Sequence, residues 1–227
     1  MSRTLVIGDI HGCYDELISL LDLVGLSADD RVVAVGDLIT KGPKSKEVLD
    51  LFRTDGRFLS VLGNHDLALL KYWRGDGNSL KDSQVIAAEE LKPESQLYCE
   101  FLASLPLIIE LDGYLVVHAG FRPGVRLNEQ STGDLTELRT LGPDRTSRQG
   151  VPWYEVYEGA ETVLFGHWPT IEPIRAARAI GLDTGCVYGN RLTGYITDAD
   201  QIVSVPALQV YEKPSKRLRK AGSNSSG

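Results

Sequence analysis

The chain predicts an α/β fold, and three observations predict it. Apolar runs of strand length alternate with helix-period stretches through the first third, and the last third breaks into short strand-like runs. The composition, 42% hydrophobic and 24% charged, is that of an ordinary globular chain. A strand-helix-strand series pairs its strands in parallel through right-handed crossovers. "TLVIG" (4–8) reads as the first strand, and 14–24 as an amphipathic helix with apolar residues at 17, 18, 20, 21 and 24. "VVAVG" (32–36) is the second strand, 45–52 a helix and "FLSVLG" (58–63) the third strand. A helical middle covers 66–73 and 83–104, interrupted by "RGDGN" and by Pro93. Mixed or antiparallel sheet follows. "LIIEL" and "YLVVH" flank Asp112-Gly113, a hairpin signal, and "TVLFG", "AIGLD", "RLTGYIT" and "QIVSV" come after. Gly, Pro and Arg dominate 120–152, which reads as a long surface excursion beside a site.

The 227 residues suit one large domain or two small ones, and no linker-like break precedes about residue 208. One domain over 1–207 and a basic, Ser/Gly-rich tail over 208–227 are therefore expected. Residues 211–227 carry five Lys/Arg against one Glu, although the whole chain has a net charge of −7. An acidic body argues against a broad nucleic-acid face, and the basic tail, which could touch RNA, polyphosphate or a membrane surface, reads first as a solvated disordered end. Cys13, Cys99 and Cys186 have no C-x-x-C spacing and leave an odd thiol, which suits a reducing compartment. The N-terminus meets a buried-type run after four residues and then Asp9, with no room for a signal peptide's apolar core. No run is long enough to span a bilayer. A cytoplasmic location, with neither DNA nor membrane as partner, is the expectation.

One pattern recurs along the chain. "TLVIG" ends in Asp9 and His11, "VVAVG" in Asp37, "FLSVLG" in Asn64 and His65, "YLVV" in His118 and "TVLFG" in His167. All four histidines thus stand where an apolar run stops, each within two residues of a glycine. Strand ends in α/β folds are where ligand-binding groups collect around one crevice. Singly, each residue could be a hydrogen-bonded structural side chain; jointly, that reading leaves the repeated placement unexplained. Oxygen and nitrogen ligands without thiolates suit Mn, Zn, Fe, Co or Mg. Asp37 is the natural bridge between two cations, because a carboxylate can share its oxygens. Such a pair clamps a phosphoryl group and activates a water for in-line attack. A histidine can then protonate the leaving oxygen.

The blocks "GDIHG" (8–12), "GD" (36–37), "GNHD" (63–66), "HAG" (118–120) and "GH" (166–167) resemble the signatures of calcineurin-like metallophosphoesterases, in the same order. The resemblance implies a central β-sandwich of mixed sheets flanked by helices. It assigns Asp9, His11 and Asp37 to one divalent ion, and Asp37, Asn64, His118 and His167 to a second. Mn²⁺ comes first as the metal, with Co²⁺, Zn²⁺, Fe and Mg²⁺ open. His65 becomes the catalytic proton donor, with Asp66 beside it.

The second block reads "GDLITKG". Thr40 stands where protein Ser/Thr phosphatases carry the acid that partners the catalytic histidine, and Lys41 where they carry a phosphate-binding arginine. Gly42-Pro43, "GDIHGCYDEL", "GNHDLALL" and "LDTGCVYGNRLT" are similar to the symmetrical dinucleoside tetraphosphatases, and the middle to the tetraphosphatase-like phosphatases. That likeness implies phosphoanhydride hydrolysis of dinucleoside polyphosphates such as diadenosine tetraphosphate. A protein Ser/Thr phosphatase acting on phosphoproteins, or a polyphosphate hydrolase, stands as the alternative. Lys41 is a mobile point charge without arginine's planar fork, so Arg139 and then Arg122 and Arg126 are the candidate phosphate clamps. Trp153, Tyr154, Tyr157 and Trp168 are candidates for base stacking or for packing. Asp183 and Tyr188 are candidate supports of the site.

Overall fold

Continuous apolar strands need cover on both faces, and two stacked sheets flanked by helices provide it. A computed structural model describes residues 2–76 and 79–213. Strands β1 (Thr4–Ile7), β2 (Arg31–Ala34) and β3 (Phe58–Ser60) pair in parallel. Helices α1 (Tyr14–Val24) and α2 (Ser45–Thr54) connect them. On the far side of β1, β9 (Arg191–Ile196) and β10 (Gln201–Pro206) complete the sheet antiparallel. The second sheet contains β4 (Ile108–Leu111), β5 (Tyr114–Val117), β6 (Thr162–Phe165), β7 (Ile174–Arg175) and β8 (Ala179–Gly181), in the order β4-β5-β6-β8-β7.

The hairpin expected at Asp112-Gly113 joins β4 to β5, with Gly113 at φ 77. The centre of this sheet is parallel, because β6 pairs in parallel with both β5 and β8. Parallel neighbours need long crossovers, and the Gly/Pro/Arg excursion is the one between β5 and β6. It lies against the sheet rather than looping away. A short α6 (Thr132–Glu137) is capped by the Ser131 hydroxyl, and Leu135 and Leu138 are buried with Trp153 on the sheet's outer face.

Period-two alternation sorts the strand side chains into separate cores. Val6, Val33, Val116 and Leu164 meet between the sheets. Their neighbours Leu5, Ile7, Val32 and Ala34 face the helices on one outer side, and Leu115, Val117, Val163 and Phe165 face the other. The helical middle consists of α3 (Asn64–Arg74), α4 (Asp82–Leu91) and α5 (Ser95–Ser104), with Pro93 in a 3-10 turn between the last two. Tyr98 and Leu102 of α5 are fully buried against this core.

Residues after β10 remain bonded to the body. Ala207 N–H donates to Asn190 O, and Tyr211 and Glu212 N–H groups donate to Val187 O. The basic segment expected at the C-terminus, 214–227, lies outside the described residues. Among the described residues no helix is long and apolar enough to cross a membrane.

Leu164 sits fully buried at the middle of β6, between the sheets. Leu164→Ala is expected to cost about 3 kcal/mol of folding stability. Urea unfolding checks this through a lowered midpoint at unchanged slope.

Candidate metal centre

Five parallel strands, three from one sheet and two from the other, end at the same edge of the sandwich. Beyond β1 lie Asp9 and His11, beyond β2 Asp37, beyond β3 Asn64 and His65, beyond β5 His118 and beyond β6 His167. Apart from half-buried Asn64, all of these are buried. The turns leaving the strands are tight enough to force left-handed backbone on residues with side chains: His11 (φ 49), Asp37 (φ 52), Thr40 (φ 75), Lys41 (φ 67) and His167 (φ 62). Such conformations persist only where the surroundings over-determine them, typically at working sites. Two glycines make the close approach possible. A Cβ on Gly63 would collide with Asp37, and one on Gly166 with Asp9.

Asp37 is central to the geometry. Its Oδ2 lies 3.4 Å from His11 Nε2, and its Oδ1 lies 3.6 Å from His118 Nε2. His11 Nε2 is also 3.9 Å from Asp9 Oδ2. Two groups of potential metal donors therefore share Asp37: one adds His11 and His65, the other Asp9 and His118, with donor atoms all within 4.8 Å. The imidazoles are oriented from behind. His11 Nδ1 lies 3.0 Å from Ile39 O, and His118 Nδ1 lies 2.8 Å from Val35 O. A carbonyl only accepts, so each Nδ1 carries a proton and Nε2 faces the centre, as metal-ligating histidines require.

The donor set fits divalent cations. His118 Nε2 is 2.9 Å from Asn64 Oδ1. On a singly protonated ring these are two acceptors face to face, which a shared cation reconciles. His167 Nδ1 is 3.0 Å from the same oxygen, and His167 Nε2 is buried without a partner. Burial, with Asp183 and Asp37 beside it, pushes the Asp9 carboxyl well above its ordinary range. Burial and then the Lys41 charge lower His11 to about 3, and the same two causes depress His65. Burial, then Arg139, depresses His167. Clustered carboxyls beside imidazoles held neutral are the electrostatics of a site that gains from positive charge.

The remaining candidates divide. His65 Nδ1 shares a 2.8 Å hydrogen bond with the Thr40 hydroxyl. Asp66 accepts backbone N–H groups from Gly63 and Leu38, at 3.0 and 3.1 Å, and burial followed by the Asp37 charge raises it to about 8. Its bonds hold two strand-end turns together. Lys41 Nζ sits 2.8 Å from His11 Nε2, inside the acidic nest, and 5.4 Å from the centre of the Tyr188 ring. Arg139 donates to His167 O at 3.1 Å, so it stands at the rim. Arg122 does not join the site: it pairs with Asp134 at 2.7 Å and lines a cavity of about 390 Å³ whose walls include no histidine. The exposed Arg126 lines that cavity too. Trp153 is fully buried among Phe121, Tyr154, Tyr157 and Phe165, so it packs rather than stacks on a ligand.

Sequence reasoning does not single out Arg148, and the structure brings it to the rim. Its guanidinium lies 5.7 Å from the centre of the Trp168 ring. It is close enough to Arg139 to depress that residue's pKa, after burial, and it feels the charge of Asp183. Its place in the excursion is the only signal available, shared with several other arginines.

Known proteins match this chain over most of its length. A model of the family described as calcineurin-like phosphoesterase matches residues 2–204. The bis(5'-nucleosyl)-tetraphosphatase PrpE [asymmetrical] of Bacillus subtilis is 31% identical over 92% of this chain and 96% of its own. A symmetrical bis(5'-nucleosyl)-tetraphosphatase of Vibrio parahaemolyticus is 30% identical over 90% of this chain and 99% of its own. A crystal structure provisionally named a diadenosine tetraphosphatase superposes with a TM-score of 0.78 at 35% identity, covering 91% of this chain and 94% of that one.

Gly63→Ala is expected to displace Asp37 and lower phosphoesterase kcat about a hundredfold, the scale of a 1 Å misplacement. Steady-state turnover of p-nitrophenyl phosphate, with circular dichroism to confirm folding, checks it.

Proposed function

The chain belongs to the calcineurin-like phosphoesterases, a family of metal-dependent hydrolases, and from that premise we propose that it hydrolyses phosphoanhydride bonds of dinucleoside polyphosphates of the diadenosine tetraphosphate type. Two divalent ions, Mn²⁺ first among the candidates, would be held by Asp9, His11, Asp37, Asn64, His118 and His167, with Asp37 common to both. The observation that carries the reading is Asp37 offering one oxygen to His11 and the other to His118, at 3.4 and 3.6 Å. Bound there, a cation pair supplies Lewis acidity toward phosphoryl oxygens and acidifies a water.

The chain's own residues do the rest. As the general acid His65 would be the imidazolium, its Nδ1–H donating to the Thr40 hydroxyl oxygen and its Nε2–H passing the proton to the departing oxygen, which leaves a neutral ring. Asp66 is a positioning group, since its carboxyl oxygens tie the Asp37 turn to the start of α3. A polyphosphate spreads several charges along its length and needs cations at more than one distance. Lys41 inside the nest, with Arg139 and Arg148 at the rim, form such a series. Trp168 is buried in the outer-face core with Arg148 over its ring, so it supports that arginine rather than offering a free face to a base. The nucleotide class itself rests on the two relatives named for it, both at least 30% identical.

A substrate panel tests the reading: diadenosine tetraphosphate, inorganic polyphosphate, capped RNA and a phosphoserine peptide, compared by kcat/KM with Mn²⁺. Diadenosine tetraphosphate should lead, and dominance by the phosphopeptide would overturn the assignment. Asp37→Asn is expected to abolish turnover and lower bound metal measured by elemental analysis; a variant keeping both would refute the shared-ligand role. For His65→Ala, hydrolysis of alkyl phosphates should fall at least roughly a hundredfold, while p-nitrophenyl phosphate, whose leaving group hardly needs a proton, is affected far less. Equal losses would remove His65 from the acid role.

A further inference from the structure

A second cluster of metal-type ligands lies in the helix-covered core, outside the acidic centre. Cys13 stands at the N-terminus of α1, Glu16 lies in that helix's first turn, and Cys186 begins the 3-10 turn Cys186–Tyr188. Each contributes a donor atom, all within 4.8 Å of one another. Their exposures are 0, 1 and 2%, so the group is closed to bulk solvent.

Glu16 poses the physical problem. Its Oε1 accepts the Leu208 N–H and the Tyr211 hydroxyl, both at 2.9 Å. Oε2 is buried and has no hydrogen-bond partner, and neither thiol reaches it as a donor. Among the described residues no lysine, arginine or histidine forms an ion pair with Glu16. A carboxylate in an apolar surround is costly unless positive charge compensates it. Here its neighbours are two thiols and the aliphatic core of α1.

We propose that Cys13, Glu16 and Cys186 bind one soft divalent cation of the Zn²⁺ class, as a structural site separate from the hydrolytic centre. Two thiolates and a carboxylate are a donor set that suits zinc and disfavours Mg²⁺ or Ca²⁺. On binding, each thiol releases its proton to solvent, and the cation takes up the electron pairs of both sulfurs and of a Glu16 oxygen. The site would fasten three segments: the loop carrying Asp9 and His11, the turn carrying Asp183, and the strap 207–212 that Glu16 already holds. Its occupancy would therefore bear on the rigidity of the hydrolytic centre without touching substrate.

Cobalt titration of the full-length protein tests this, because thiolate-to-cobalt charge transfer gives a near-ultraviolet band. The proposed hydrolytic centre contains no thiolate, so the band reports on this cluster alone, whatever the fate of the phosphoesterase assignment. Chelator-stripped protein, kept reduced with a phosphine, should develop the band on adding Co²⁺ and lose it when Zn²⁺ is added. The band should persist in Cys99→Ser, disappear in Cys13→Ser and in Cys186→Ser, and need at least about tenfold more cobalt in Glu16→Gln. Absence of the band from the parent protein at saturating cobalt would overturn the proposal, as would its survival in folded Cys13→Ser. The parent titration decides even where a variant fails to fold.

Discussion

Asp9, Asp37 and Asp183 are buried together beside four imidazoles, and that concentration of acid in a dry place constrains everything around it. Two unit charges about 4 Å apart repel by about 4 kcal/mol at an effective dielectric of about 20, before either pays for leaving water. The fold meets this demand with rigidity. Backbone N–H groups of His167 and His65 donate to Asp9 and Asp37, and Gly185 N–H donates to Asp183. The first of these bonds crosses from one sheet to the other, so the sandwich closes through an acid as well as its aliphatic core. Lys41 in the nest and the arginines at the rim supply part of the missing positive charge from the chain itself.

The same demand accounts for the strained turns. His11, Asp37 and His167 adopt left-handed backbone where glycine is usual, because the side chain must project into the crevice immediately after a fully buried strand. Gly12, Gly36 and Gly166 stand next to them, and a Cβ on Gly166 would strike Asp9. Strand end, strained ligand and neighbouring glycine form one unit repeated on both sheets. That unit was legible in the sequence, since polar residues closing apolar runs are anomalous and each such residue stood within two positions of a glycine.

What was not legible depended on contacts between distant segments. Nothing in the spacing of the later strands distinguishes a parallel β5-β6-β8 centre from an antiparallel one, because both-face burial erases the alternation that would mark a one-sided sheet. Arg122 reads as a phosphate candidate only while α6 is out of view; Asp134, presented by that six-residue helix, takes its guanidinium. Arg148 reaches the rim because the bridge between Thr140 and Pro152 folds the excursion back on itself. Glu16 looks like an ordinary first-turn acid complementing the helix dipole. Only the return of residues 207–212 buries it.

Thr40 gives the strongest link between local chemistry and the proposed substrate. A carboxylate against His65 Nδ1 would favour the imidazolium and so keep the proton donor populated, which matters when the departing group is an alkoxide. A phosphoanhydride releases a phosphate, whose second pKa is about 6, and such a leaving group gains little from a strong acid. A threonine hydroxyl orients the ring through one 2.8 Å bond and adds no further negative charge to a nest that already holds three acids. On this reading Thr40 is the form the site takes when its leaving group is already stable as an anion, and the need for positive charge shifts outward to residues that follow the polyphosphate chain.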